Sequence, residues 1–237
     1  MSVAEKEAIM SANNKTMAEN QQKVYDAGYA AGQAEGGGAG GIDYMDYVTG
    51  YANLFSGRAF PENTDIVFRL NSGHLPTVVG LFMNISGVRS IKLSGGDNVV
   101  CDATNIFYIG NYANAQIETI DISELNIKFG SSVNAFLNQS ALVSIIGDID
   151  MSACTNALNF FTHCKKLVDV RLKPGTLAIS LSVGYSPLLS AESIQSIIDG
   201  LADLTGSETK TLTLHASIVL TDEQKATITA KNWTLVQ

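Results

Sequence analysis

Between Phe82 and Leu172 one hydrophobic pattern recurs in about four copies, and this recurrence constrains the fold more than any other feature of the chain. Phe82, Val88, Ile91 and Leu93 are answered by Ile117, Ile120 and Ile122, then by Phe136, Leu142 and Ile145, then by Phe161, Leu167, Val170 and Leu172. The anchors Val88, Ile117, Leu142 and Leu167 lie 29, 25 and 25 residues apart, a period that belongs to stacked repeat units. Apolar positions at the end of each unit alternate as in a strand, and the preceding phenylalanine predicts a short helical or irregular return. One unit alone buries too little, whereas stacked units share a core and a sheet along one face. The expectation is a solenoid, to which the rest of the chain adds caps and attachments.

With 237 residues such a body folds without metals or disulfides. A net charge of −8 with 15 scattered Lys and Arg argues against a nucleic-acid partner, which needs a concentrated basic footprint. Cys101, Cys154 and Cys164 do not make a disulfide framework; Cys154 and Cys164 read as buried thiols, with a pairing inside one repeat as the other reading. Charged residues occupy the place of a signal peptide's apolar run, and no uninterrupted apolar window is long enough to span a membrane. Synthesis in a cytosol and no membrane insertion are therefore expected.

Residues 1–35 are expected to form a helical anchor or oligomerisation segment. Val3, Met10, Met17 and Val24 recur at heptad spacing, but the companion positions Lys6, Asn13 and Asn20 are polar, so a self-sufficient two-stranded coiled coil is not predicted. Docking on a partner or in a bundle, docking on the chain's own body, and a frayed tail are the three readings, with Tyr25 and Tyr29 giving the end of the segment a sticky face. Residues 36–41 are a glycine-rich hinge.

Residues 42–70 are expected to be an N-terminal cap and first strand. Tyr44, Tyr47 and Tyr51 share one face if this stretch is helical, either capping the first repeat or forming an exposed aromatic patch. Ile66, Phe68 and Leu70 alternate as a strand, and Leu75 to Phe82 reads as a return helix. Residues 71–185 hold the repeats. Their strands place Arg89, Lys92, Glu118, Asp121, Asp169 and Arg171 outward, a mixed-sign row suited to broad polar contact, and Ile91, Leu93, Ile120, Ile122, Val170 and Leu172 inward. Asn84, Asn105, Asn111, Asn114, Asn134, Asn138, Asn156 and Asn159 read as turn residues, or as groups facing a sugar. Residues 186–237 form a terminal module: Ser190 caps a helix containing Ile194, Ile197 and Ile198, Leu212 and Leu214 lie on a strand, and Thr221 with Gln224 opens a second helix by a capping box.

Candidate chemistry is sparse. His74, His163 and His215 lie in different elements, and His163 beside Cys164 is not a dyad, since adjacent side chains in regular structure point apart. No Cys and His spacing suits zinc. Asp148 and Asp150 share a face of an extended segment and read as a solvated pair or, at a sugar cleft, as hydrolytic carboxylates. Ser94 to Asp97 lacks the lysine of a phosphate loop. No catalytic, cofactor-binding or metal residue is assigned, and no cofactor is expected.

The form Phe-x-x-Cys-x-x-Leu-x-x-Val-x-Leu at Phe161, Cys164, Leu167, Val170 and Leu172, with Ile85 and Gln139 in place of the cysteine elsewhere, resembles the irregular leucine-rich repeat family often called BspA-like. That family occurs in bacterial surface proteins and in phage or prophage structural proteins. Ser186 to Ile194 and Leu220 to Ala226 resemble the terminal module of phage tail-associated proteins, Tyr51 to Phe60 their aromatic lead-in and Val24 to Glu35 their tether. The resemblance implies an α/β solenoid of irregular leucine-rich repeats with an N-terminal helical extension. It further implies a non-enzymatic virion structural protein of tail, baseplate or fibre, assembled in the bacterial host cytoplasm. Its partners would be other virion proteins, further copies of itself and a host-surface protein or glycan. The other readings are a bacterial interaction or adhesion module without a virion role and a cell-wall or capsule glycan hydrolase. If residues 1–35 self-associate, light scattering is expected to give a defined oligomer for the whole chain and a monomer for a chain beginning at Gly41; two monomers would sink that idea.

Overall fold

A computed structural model describes residues 42–44, 52–70 and 77–237, with the backbone alone at 42–44 and at Asp97. Six parallel strands follow one another in sequence order across the first sheet: β1 (Ile42–Tyr44), β2 (Ala59–Leu70), β3 (Ser86–Cys101), β4 (Thr119–Phe129), β5 (Ser144–Ile149) and β6 (Asp169–Leu172). Alternation fixes the register. Ile66, Ile91, Ile120 and Ile145 are successive partners on the inner face and are each at most 1% exposed, and a slip by one residue would turn the whole row into solvent. The six residues expected inward, Ile91, Leu93, Ile120, Ile122, Val170 and Leu172, are all buried.

Between these strands the chain returns through turns. Asn53, Asn84, Asn105, Asn134, Asn138, Asn159 and His163 all have φ between 55° and 68°, the left-handed conformation that asparagine tolerates better than other non-glycine residues. Gly80, with φ 60°, occupies the matching position in its return. Left-handed residues recurring four apart, as at Asn134 and Asn138 or Asn159 and His163, are incompatible with a continuous right-handed helix.

Successive returns are joined by their own backbone bonds. Gly80 N–H donates to Thr104 O, Asn105 N–H to Val133 O and Asn134 N–H to Leu158 O, at 2.8 to 2.9 Å. Beneath this ladder Phe55, Phe82, Phe107, Phe136 and Phe161 stack in one column, with ring centroids 5.2 to 5.7 Å apart. Each stacked pair adds about 0.5–1.5 kcal/mol beyond the area it buries.

The second sheet is smaller and also parallel, in the order β7 (Leu181–Ser182), β8 (Lys210–Thr213), β9 (Trp233–Val236). Two helices accompany it. In α1 (Ala191–Gly200) the Ser190 side chain accepts from Ser193 N–H, and Ile194, Ile197 and Ile198 are buried. In α2 (Asp222–Ala230) Thr221 and Gln224 form the capping box. Lys231 Nζ closes the end of α1 by donating to Ile198, Asp199 and Leu201 carbonyls at 2.8 to 3.2 Å, an interaction favoured by the negative end of the helix dipole.

The expected α/β solenoid of irregular leucine-rich repeats with a helical extension is thus corrected. The described chain is mostly parallel sheet, in two separate sheets that do not make up that solenoid, and its α-helix is confined to α1 and α2. From Thr77 to Asn84 the expected return helix is an isolated bridge, Thr77 to Asp102, followed by turns. The expected tyrosine-bearing helix also fails at its start, because Ile42–Tyr44 is a strand paired with Ile66–Phe68. Residues 1–41, 45–51 and 71–76, which include the anchor segment, the hinge and His74, lie outside the described residues.

Phe136 is fully buried between two stacked neighbours and a third ring, Phe160. Phe136→Ala is expected to cost about 3–5 kcal/mol, read as a shift in the urea unfolding midpoint at unchanged slope; a loss no greater than that of an exposed residue would remove the column from its central role.

Candidate functional site

Of the six charged residues expected on the outer sheet, Arg89, Glu118, Asp169 and Arg171 are exposed and Lys92 and Asp121 half-buried, and neighbours hold several of them. Arg89 grips Asp65 through both ends of its guanidinium, Nε to Oδ1 at 3.2 Å and Nη2 to Oδ2 at 2.6 Å. Lys92 meets Glu124 at 2.5 Å and Asp121, its partner in register, at 4.0 Å. Arg89 and Glu118 also line a polar cleft of about 290 Å³ with Glu62, Gln116 and Lys166. Asp169 accepts a 3.4 Å bond from Ser190 Oγ, while Arg171 is the register partner of Asp148. The row therefore breaks into local pairs. Val3, Met10, Met17, Val24, Tyr25 and Tyr29 lie outside the described residues.

Asp65, Ser90, Thr119, Ser144 and Asp169 are successive register partners across the sheet. Burial opposes ionisation of Asp65, but hydrogen bonds from Arg89 and Ser90 and the Arg89 charge outweigh it and hold the carboxyl below its ordinary value of 3.8. Asp150 behaves alike. Burial acts against its charge, whereas Ser152 and the Lys173 ammonium, 2.9 Å away, lower it overall. Asp150 is thus engaged within the sheet end while Asp148 faces solvent.

Neither cysteine chemistry nor a His163 dyad emerges from the described geometry. Cys101, Cys154 and Cys164 are free and buried. Burial pushes the Cys101 thiol up to about 11 and raises Cys164 as well. The Cys164 thiol donates inward to Phe136 O at 3.2 Å, whereas His163 Nδ1 meets Asn138 Oδ1 at 2.7 Å. The two neighbours face different surroundings.

A second cleft, of about 570 Å³, opens where the ladder of returns stops. One wall is the last return, Thr155 to Thr162, and the other is Ile179 to Ser182 with Tyr185. It exists because the chain after β6 turns to the second sheet: Val183 N–H donates to Thr213 O at 2.8 Å, leaving β7 as that sheet's edge strand.

Three features of this wall are ends of columns that neighbouring returns cover elsewhere. Val79, Thr104 and Val133 are half-buried, but Leu158, next in that series, is 61% exposed. Asn134 Nδ2 donates to Asn105 Oδ1 and Asn159 Nδ2 to Asn134 Oδ1, each at 3.0 Å, so the carboxamide row ends at Asn159. Ala157 and Asn159 N–H, equivalent to Ser132 and Asn134 N–H in the previous return, make no hydrogen bond among the described residues.

An aromatic strip flanks the cleft. His163 lies between Tyr112, 5.4 Å away, and Tyr185, 4.8 Å away, and Lys165 Nζ stands 5.2 Å over the Tyr112 ring. Tyr112 and Tyr185 are both about half exposed. The pattern of Asn159 was legible as turn chemistry, but the exposure of Leu158 and Tyr185 depends on where the following segment goes. Comparison with family models, with curated proteins and with solved structures finds no match to the chain.

Because the carboxyls of Asp65 and Asp150 are depressed on folding, their stabilisation is present above the unfolded value and lost as pH falls through the lower folded value. Asp65→Asn is expected to cost about 1 kcal/mol or less at neutral pH, given the exposed Arg89 partner. It is also expected to flatten the acid loss of stability below pH 3.8. Urea unfolding at neutral and acid pH checks both; an unchanged acid slope would mean that Asp65 does not contribute.

Proposed function

We propose that the chain is a non-enzymatic phage virion structural protein, associated with tail, baseplate or fibre, that makes assembly or host-surface contacts. The observation that supports a contact role is the uncovered end of the return ladder. There backbone donors, the exposed Leu158 and the exposed Tyr185 border an open cleft on a hydrogen-bonded framework. Such a surface is largely formed before a partner arrives, which lowers the ordering cost of binding. Shallow contacts gain strength when several copies sit on one particle. The virion assignment draws its support from the sequence resemblance of Val24 to Glu35, Ser186 to Ile194 and Leu220 to Ala226.

The test is mass spectrometry of density-gradient-purified particles released from cells that carry the gene. Peptides of this chain are expected to co-sediment with capsid and tail proteins at several copies per particle. Recovery only in the soluble or cell-surface fractions would overturn the virion reading and favour an adhesion module acting alone.

A further inference from the structure

We propose that the cleft beside Thr155 to Thr162 is a docking site for an extended segment of a partner polypeptide, whose backbone carbonyls accept from Ala157 and Asn159 N–H. This rests on the reading of the chain as a contact protein and names the class of partner. The molecule itself shows what fits such an edge. Val78 and Gly80 N–H donate to Asp102 and Thr104 carbonyls, Ala103 and Asn105 to Ser131 and Val133, and Ser132 and Asn134 to Asn156 and Leu158, at 2.8 to 2.9 Å throughout. Each time the acceptors are carbonyls two residues apart on one polypeptide.

Ala157 and Asn159 continue the same series of donors, and no carbonyl among the described residues accepts from them. Their own carbonyls are already occupied by turn bonds, from Phe160 N–H to Ala157 O at 3.2 Å and from Thr162 N–H to Asn159 O at 3.3 Å. The edge is therefore rich in donors. A backbone carrying carbonyls at every second residue is the complement already realised in three earlier returns, and it meets the need of backbone donors for partners.

Side-chain positions agree with the same occupant. Leu158 is the open end of the row that runs through Val79, Thr104 and Val133, and a segment laid on the edge would cover it with its own side chain. Across the cleft Tyr185 and Ile179 offer a second apolar wall, and β7 a free strand edge. A cleft of about 570 Å³ is within the size range of ligand sites. A saccharide would use the tyrosine ring, but it has no regular two-residue spacing of acceptors to match Ala157 and Asn159.

The experiment screens the full-length protein against random displayed peptides and, in parallel, a glycan array. Captured peptides are then resynthesised and their affinities measured by fluorescence anisotropy. Expected are peptides with alternating apolar residues that slow amide exchange at Ala157 and Asn159. Their affinity should fall about tenfold or more in Leu158→Asp and in Tyr185→Ala, and should not change in Val219→Asp, an exposed position outside the cleft lining. Capture of no peptide, or of peptides that leave those two amides unprotected and ignore both cleft substitutions, would overturn the proposal. Capture of glycans alone would also overturn it while leaving the host-contact reading intact. Absence from virions, tested separately, would overturn the particle reading without touching the cleft.

Discussion

The hydrogen bond from each return to the next is the constraint on which the rest of this structure depends. A turn that crosses the end of a sheet normally satisfies its backbone in water or within itself. Here every second N–H is sent sideways to a neighbouring return, at Gly80, Asn105 and Asn134, and is received there by every second carbonyl, at Thr104, Val133 and Leu158, while the carbonyls between, at Val78, Ala103 and Ser132, accept turn bonds within their own return. That division of donors and acceptors requires left-handed residues at fixed intervals, which is why asparagine and glycine occupy those places. It also brings the phenylalanines of successive returns to stacking distance, so the aromatic column follows from the backbone geometry.

Much of the sheet was legible in the sequence because alternation has few solutions. Ile91, Leu93, Ile120 and Ile122 follow a period of two, and only an inward orientation buries them together. The capped helices were legible for a similar local reason, since Ser190 and the Thr221 and Gln224 pair announce where a helix starts. The returns were less readable. Phenylalanine six residues before an anchor fits a helical turn as well as an irregular one, and the asparagines that decide between them act in pairs, through φ values that no single residue type imposes. Choosing a helix there, and a solenoid of leucine-rich repeats overall, gave the apolar spacing priority over the asparagines.

The functional surface was legible in its residue types but not in its boundaries. Lys92, Asp121, Asp169 and Arg171 stand outward by parity, whereas Arg89 and Glu118, two residues before the inward Ile91 and Ile120, do not follow from it. Arg89 and Lys92 are engaged by Asp65 and Glu124 across neighbouring strands, and parity contains no information on such pairs. Exposed ion pairs of this kind are worth about 1 kcal/mol at most and chiefly order the surface. The cleft could not be placed from sequence at all. Leu158 stands where valine or threonine stands in earlier returns, so its type is ordinary. What makes it exposed is the departure of the next segment toward the second sheet.

That departure has a physical consequence for how the molecule ends its own ladder. A stack of hydrogen-bonded units must be closed at its ends, by an altered unit, by solvent or by a partner. At the sheet face closure is internal: α1 packs over β6, with Ser193 Oγ accepting from Val170 N–H at 3.0 Å and Ser196 Oγ from Leu172 N–H at 3.2 Å. Serine hydroxyls on the helix thus occupy the edge donors that another strand would have used. Among the described residues, the return edge beside it is open at Ala157 and Asn159. One end face is therefore sealed at the strands and accessible at the turns, and the open portion is the part that retains the backbone chemistry of the ladder. A polypeptide partner would find there the same arrangement that holds the returns to one another.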